Sequence, residues 1–142
     1  MIKYEQDFYG WTQEQAALLK AGRLNDLDIE NLIEEVETMG RSEKRELESR
    51  LTVLLLHLLK WKYQEVRRGR SWELSIDEQR IQFLKTLKEN PGLKPLLEEM
   101  KTDSYKLATI QASRETKISK NVFPTECPWS FEQITDDTFF PE

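Results

Sequence analysis

The chain has 142 residues, carries a net charge of −5 and contains 38% hydrophobic and 33% charged residues. Its four Trp, four Tyr and six Phe argue against a disordered chain. The longest apolar run, residues 51–59, is far shorter than the roughly 20 residues of a membrane span, and the N-terminal pattern is not that of a secretory signal. We therefore expect one helical domain, residues 1–142, without membrane association and located in the cytoplasm.

Charge is distributed unevenly along the chain. Residues 1–49 carry six Lys and Arg against twelve Asp and Glu, residues 50–90 carry nine against five, and residues 91–142 carry six against nine. An acidic chain does not attract nucleic acid through its net charge. Any such binding would have to use the basic middle region.

Helix signals recur along the chain, and no segment shows the alternation of a strand. The first helix is predicted to begin at Thr12 and to end at Gly22. Asp28 is expected to cap a second helix, and we expect that helix to break or bend near Gly40, although its apolar series can be continued in phase to Leu51. The apolar residues of its first half are Ile29, Leu32, Ile33, Val36 and Met39.

The run from Leu51 to Trp61 is predicted to be the central and most buried helix, because its leucines point in nearly every direction around a helix axis. The next helix is predicted to open at Ser71 or Ser75, and the turn at residues 90–92 separates it from a fourth helix that fades by Lys117. The side chains that the third helix is expected to bury are Trp72, Ile76, Phe83, Leu84 and Leu87.

The C-terminal region begins with an extended connector, which Pro124 and Pro128 indicate. Ser130 and Gln133 can form a capping box, so a last short helix is predicted to end near Asp136. The apolar tail, residues 139–141, is expected to dock on the body. The predicted fold class is therefore all-α: a compact bundle of about five helices with a short C-terminal helix and a docked tail.

One hypothesis for chemistry is acid/base or metal-dependent catalysis by His57 with Glu34 and Glu37. A lone histidine in an apolar helix is more often a hydrogen-bonded core residue, and residue 54 is Leu where di-metal bundles have Glu. Cys127 is the only cysteine, which argues against a paired-cysteine metal site. We predict neither a metal nor a cofactor, and we expect the glutamates to pair with nearby cations. Those cations are Arg41, Lys44 and Arg45.

The basic segment, residues 60–72, concentrates five cations and three aromatic residues around one acid. Arginine binds phosphate and aromatic rings stack on bases, so the composition suits nucleic acid or a phosphorylated ligand. Alternatively, its two tryptophans close the core at helix ends and its arginines pair with the acidic second helix. The candidate ligand-binding residues are Lys60, Arg67, Arg68, Arg70, Arg80, Trp61 and Trp72.

Several motifs together resemble the bacterial family called domain of unknown function 29. They are residues 7–19 (DFYGWTQEQAALL), 31–37 (NLIEEVE), 39–43 (MGRSE), 58–61 (LLKW), 70–72 (RSW), 123–124 (FP) and 127–128 (CP). The resemblance covers nearly the whole chain. It implies an all-helical bacterial, often cyanobacterial, protein, and it implies no reaction, cofactor or catalytic residue.

No phosphate-binding glycine loop, Gly-x-Ser-x-Gly elbow or zinc-type histidine pair is present. The leading hypothesis is a non-catalytic helical interaction module with a protein partner, including a homodimer. The first alternative is nucleic-acid or phosphate-ligand binding through residues 60–72. The second is an enzyme that uses His57 with glutamates of the second helix.

Overall fold

The computed structural model describes all 142 residues, which form helices and no strand. Short 3-10 turns connect the helices, and the all-α fold class with five α-helices is confirmed. None of the helices combines the length and the apolar composition that crossing a bilayer demands. The five are α1 (Phe8–Lys20), α2 (Ile29–Tyr63), α3 (Arg70–Glu89), α4 (Leu97–Thr116) and α5 (Phe131–Thr135).

Contacts within the chain divide it into two units, Met1–Ser42 and Glu43–Glu142. The first unit contains α1 and the beginning of α2, and the second contains the rest of α2 and the three later helices. The expectation of a single domain stays a prediction.

The start of α1 differs from the sequence prediction. Its N-cap is Asp7, whose carboxylate accepts a hydrogen bond from the Gly10 amide at 2.9 Å. Thr12 lies inside the helix and donates its hydroxyl to the Tyr9 carbonyl at 2.7 Å, so the predicted start at Thr12 is wrong. Both residues have cap-forming side chains, and the helix begins at the earlier one because the amides after Asp7 would otherwise lack an acceptor.

The end of α1 is the predicted one. Gly22 has a φ of +71°, and the Arg23 amide behind it donates to the Leu18 carbonyl at 2.9 Å. This left-handed residue after the last turn is the usual way in which glycine closes a helix.

The first unit is built around Trp11, which is only 2% exposed. Its ring lies edge-on to Tyr4, 4.8 Å between centroids, and its indole N–H donates to the Asp28 carboxylate at 2.9 Å. The Asn31 side chain also donates to Asp28, at 2.8 Å. These hydrogen bonds hold the pKa of Asp28 below its usual value, with the bond from Asn31 the largest cause. Asp28 therefore fixes the start of α2 against α1.

Helix α2 runs for 35 residues without a break, so the predicted break at Gly40 is wrong. Glycine costs a helix interior about 1 kcal/mol relative to alanine. Exposed ion pairs one turn apart contribute about 0.3–0.5 kcal/mol each, and the Glu37–Arg41 pair spans Gly40. A cost of about 1 kcal/mol does not by itself end a helix. The ion pairs are Glu37–Arg41, Lys44–Glu48 and Glu46–Arg50, at 3.8 to 3.9 Å.

The second unit has its core along the later part of α2, which confirms the predicted central burial. Ile76 and Phe83 of α3 are fully buried against it, as are Ala108 and Ala112 of α4. Leu84, which was expected inside, is exposed, because only one face of α3 meets the core. The fully buried leucines of α2 are Leu47, Leu51, Leu54, Leu55, Leu58 and Leu59.

The C-terminal region folds as predicted. Ser130 and Gln133 form a reciprocal capping box at the start of α5. After α5 the tail lies against the second unit, with Pro141 buried and Phe139 and Phe140 half-buried. The ring of Phe140 packs 4.8 Å from that of Trp61. The docked tail is therefore part of the core.

Substitution by alanine should have opposite effects on stability at Gly22, which follows α1, and at Gly40, which lies within α2. A Cβ at Gly40 would meet nothing within 4 Å, so Gly40→Ala should raise the free energy of unfolding by about 0.5–1 kcal/mol. Gly22→Ala should lower it by about 1 kcal/mol, because the left-handed φ strains any side chain. Urea unfolding followed by circular dichroism measures both. A destabilised Gly40→Ala protein would contradict the continuous helix.

Asp28 should give the first unit a stability that depends on pH. Since folding lowers the pKa of Asp28 below 3.8, its ionised form stabilises the fold above that pH, and this contribution is lost as the pH falls through the lowered pKa. The Trp11 indole N–H resonance should therefore shift with a midpoint below pH 3.8. In Asp28→Asn protein this titration should disappear, while the other three tryptophans serve as internal references. A midpoint at or above pH 3.8 would refute the assignment.

Candidate interaction surface

The proposed acid/base residues are not assembled into a site. His57 is half-buried, and its Nδ1 donates to the Val53 carbonyl one turn earlier, at 2.9 Å. Glu34 and Glu37 are exposed, and their carboxylates lie 3.4 and 3.9 Å from the Arg41 guanidinium. No group of three or more His, Cys, Asp or Glu side chains is placed to hold a metal ion. His57 is therefore engaged within its own helix, and the glutamates with a neighbouring cation.

Within the basic segment, Arg68 donates hydrogen bonds to backbone carbonyls. Its Nε donates to the Trp61 carbonyl at 2.6 Å, and its Nη2 lies 3.4 Å from the Pro141 carbonyl. The guanidinium also covers the Trp61 ring, 5.4 Å from the centroid. The last carbonyls of a helix lack partners within it, and a cation is favourable there. Arg68 thus caps α2 and holds the tail.

The other cations and the two tryptophans of the segment differ in the contacts that they make within the chain. Lys60 lies 5.0 Å from the Trp72 ring centroid and 3.5 Å from a Glu115 carboxylate oxygen. Both tryptophans, Trp61 and Trp72, are half-buried. Arg67 and Arg70 are exposed and make no ion pair. The expected pairing of these arginines with the acidic second helix is wrong, since the ion pair of Arg68 is with Glu65 beside it, at 3.8 Å.

Arg80, the remaining ligand-binding candidate, is only 2% exposed. Its Nε donates to the Ile134 carbonyl at 2.8 Å and its Nη2 to the Phe139 carbonyl at 2.6 Å. The guanidinium faces the Phe140 ring at 5.4 Å. Burial lowers the pKa of Arg80, and three nearby carboxylates, those of Asp77, Asp136 and Asp137, act in the opposite direction. Arg80 is therefore an internal clamp on α5 and the tail.

Replacing this clamp should release the tail. Arg80→Met keeps the volume but removes both donors, so we expect a loss of about 2–4 kcal/mol in unfolding free energy and faster chymotrypsin cleavage at Phe139 and Phe140. Arg70→Met is the matched control, because Arg70 is exposed and unpaired, and it should change stability by less than about 0.5 kcal/mol. Unchanged cleavage of the Arg80→Met tail would show that the tail docks without the clamp.

An apolar surface lies open along the first half of α2. Four side chains, which we call the α2 stripe, are 53 to 64% exposed: Ile29, Ile33, Val36 and Met39. At 100° per residue, Ile29, Ile33 and Val36 share one face of the helix with Gly40, and Met39 borders that face. Helices normally turn such a face toward a core. This one has no intramolecular cover.

The α2 stripe is exposed because α1 packs against a different side of α2. Trp11 binds Asp28 and the Tyr4 hydroxyl donates to Glu35, so α1 and its preceding residues lie along the side of α2 that carries these acids. That hydrogen bond raises the pKa of Tyr4 to about 12, with Glu35 the chief cause. Leu32, between the two sides, is half-buried. The sequence reveals the apolar period but not which face α1 covers.

Charged residues border one edge of the stripe. Glu30, Glu37 and Arg41 follow one another along it, and all three are exposed. Between residues 29 and 39, α2 carries four glutamates and no cation, and its first cation is Arg41. An apolar centre with a charged rim is the usual composition of a protein interface. Neither a histidine nor a cysteine lies between residues 29 and 41.

Fold and surface together define an all-helical protein with an exposed apolar helix face. The model of the family described as domain of unknown function DUF29 matches residues 3–140. The chain therefore belongs to this family, and the resemblance seen in its motifs is confirmed. No curated protein and no solved structure matches the chain.

Proposed function

We propose that the protein is a non-catalytic interaction module that binds a protein partner through the α2 stripe. The exposure of four large apolar side chains on one helix carries this proposal. Burying the exposed part of each would contribute about 1 kcal/mol, given about 1.5–3 kcal/mol for a whole side chain. Covering all four side chains of this contiguous patch should therefore contribute several kcal/mol to the free energy of binding.

The geometry of the stripe favours a helical partner. Its residues recur at steps of three and four over about three turns, which matches the spacing of ridges on a second helix. The charged edge can set the orientation of such a partner. Recognition of this kind needs no preformed cavity and uses apolar contacts with a polar border.

The alternative functions draw less support. For nucleic-acid binding, residues 60–72 offer two exposed cations without an ion pair, Arg67 and Arg70, and the half-buried Lys62, which lies 5.7 Å from the Tyr63 ring centroid. Arg68 and Lys60 already bind within the chain. For an enzyme that uses His57 with the glutamates, each of these side chains already binds a neighbour on its own helix, His57 the Val53 carbonyl and the glutamates Arg41. We therefore rank the interaction module first.

Site-specific photocrosslinking tests this function. A photoreactive phenylalanine analogue at Val36 should give a discrete adduct in cells, whereas the same analogue at Val66, 96% exposed but outside the stripe, should not. Adding Ile33→Asp should remove the Val36 adduct, since it places a charge in the apolar contact. A bacterial cytoplasm is the setting for this experiment. The cytoplasmic location and the bacterial, often cyanobacterial, origin stay predictions.

The controls separate binding from unfolding. Each variant must keep the circular dichroism and melting temperature of the parent protein, which is expected because all three positions are exposed. Equal adducts at Val36 and Val66, or a Val36 adduct that survives Ile33→Asp, would overturn the proposal.

A further inference from the structure

We propose that a cavity between α4 and the segment that follows it binds a small phosphate monoester with an apolar body. The cavity, which we call the α4 cavity, has a volume of about 450 Å³. Ligand cavities in proteins commonly enclose about 300–1,000 Å³. It lies within the second unit, and the inference is independent of the α2 stripe and its partner. The lining side chains that would meet the ligand are Lys106, Ile110, Lys120, Asn121, Pro124 and Thr125.

The wall of the α4 cavity that follows the helix is fixed to α4 at two points. The Ser113 hydroxyl donates to the Ile118 carbonyl at 2.6 Å, and the Tyr105 hydroxyl donates to the Pro124 carbonyl at 2.7 Å. Between these bonds, Phe123 is only 4% exposed, and its ring lies edge-on to Tyr63, 5.1 Å between centroids. The cavity is therefore held open by the fold before any ligand arrives, which reduces the entropy that binding has to overcome.

Two lysines give the α4 cavity its charge. Lys106 and Lys120 are exposed, and neither makes an ion pair, although the chain has 26 acidic against 21 basic residues. No carboxylate lines the cavity. Ammonium groups without a counter-charge at one concave site raise the local concentration of anions. The cavity therefore selects a negatively charged ligand in a protein that is acidic as a whole.

The number of cations and the neutral groups beside them favour a phosphate monoester over a carboxylate. A phosphate monoester carries a charge of about −1.5 to −2 near neutral pH and presents three acceptor oxygens, so it matches two ammonium groups, whereas a carboxylate carries a single charge. The side chains of Asn121 and Thr125 add neutral donors, and neither is hydrogen-bonded within the chain. Ile110, which is 43% exposed, and the half-buried Pro124 offer an apolar surface to the rest of the ligand.

A neighbouring cavity limits the ligand to one anionic group. It shares two lining residues with the α4 cavity and is also lined by Glu98 and Glu126. The Glu98 carboxylate lies 3.5 Å from the Lys101 ammonium, so this lysine is already engaged. A second phosphate on that side would meet carboxylates of like charge. The ligand class is therefore a phosphate monoester whose remaining part is uncharged and apolar.

Titration of the isotope-labelled full chain with phenyl phosphate tests the site by nuclear magnetic resonance. The amide resonances of Lys106, Asn121 and Thr125 should shift together, with a dissociation constant on the order of millimolar, because both cations are exposed to water. Lys106→Gln and Lys120→Gln should each weaken binding about fivefold, since each removes one charge-assisted contact. Lys85→Gln is the matched control, because Lys85 is an exposed lysine of α3 without an ion pair, and it should leave the affinity unchanged.

Two further probes test the ligand class. Benzoate keeps the ring but carries one charge, and inorganic phosphate keeps the charge but lacks the ring, so both should bind more weakly than phenyl phosphate at the same ionic strength. Benzoate that binds as tightly as phenyl phosphate would refute the preference for phosphate. Inorganic phosphate that binds as tightly would refute the apolar part of the ligand.

The site itself is overturned by any of three results. They are the absence of shifts at about 20 mM phenyl phosphate, an affinity that survives both Lys106→Gln and Lys120→Gln, and a loss of equal size in Lys85→Gln, which would indicate attraction to surface charge in general. All three lysines are exposed, so the variants should keep the circular dichroism and melting temperature of the parent protein. None of these results bears on the crosslinking at Val36, which tests the proposed function separately.

Discussion

Six leucines between Leu47 and Leu59 are completely removed from solvent and surround the axis of one helix. A helix that is apolar on every side cannot lie on a surface, so other elements must cover it all round. Ile76 and Phe83 of α3, α4 and the C-terminal tail supply this cover.

Two arginines complete this core by binding backbone oxygens. Arg68 and Arg80 together engage carbonyls of α2, α5 and the tail, and each also faces an aromatic ring. A guanidinium removed from water needs acceptors for its donors, and carbonyls at helix ends and in irregular segments provide most of them. Nη1 of Arg80 is buried without a partner. Two of the nine cations between residues 50 and 90 thus hold the C-terminal segments in place.

The proposed interaction follows from the asymmetry of α2. Its later part is covered on all sides, while its first part has α1 on one side and the open stripe on another. Exposed apolar surface of this kind is costly in water unless a partner covers it. The proposed function thus depends on the apolar face that the chain itself leaves uncovered.

Local chemistry in the sequence determined the helical class, the central leucine helix, the closure of α1 at Gly22 and the capping box at Ser130, because periodicity, φ preference and capping act over a few residues. Tertiary structure decided the rest. Whether Arg80 binds a ligand or the tail depends on carbonyls more than fifty residues away. Which face of α2 stays open depends on where Trp11 finds Asp28. Such contacts join distant residues, and no local pattern encodes them.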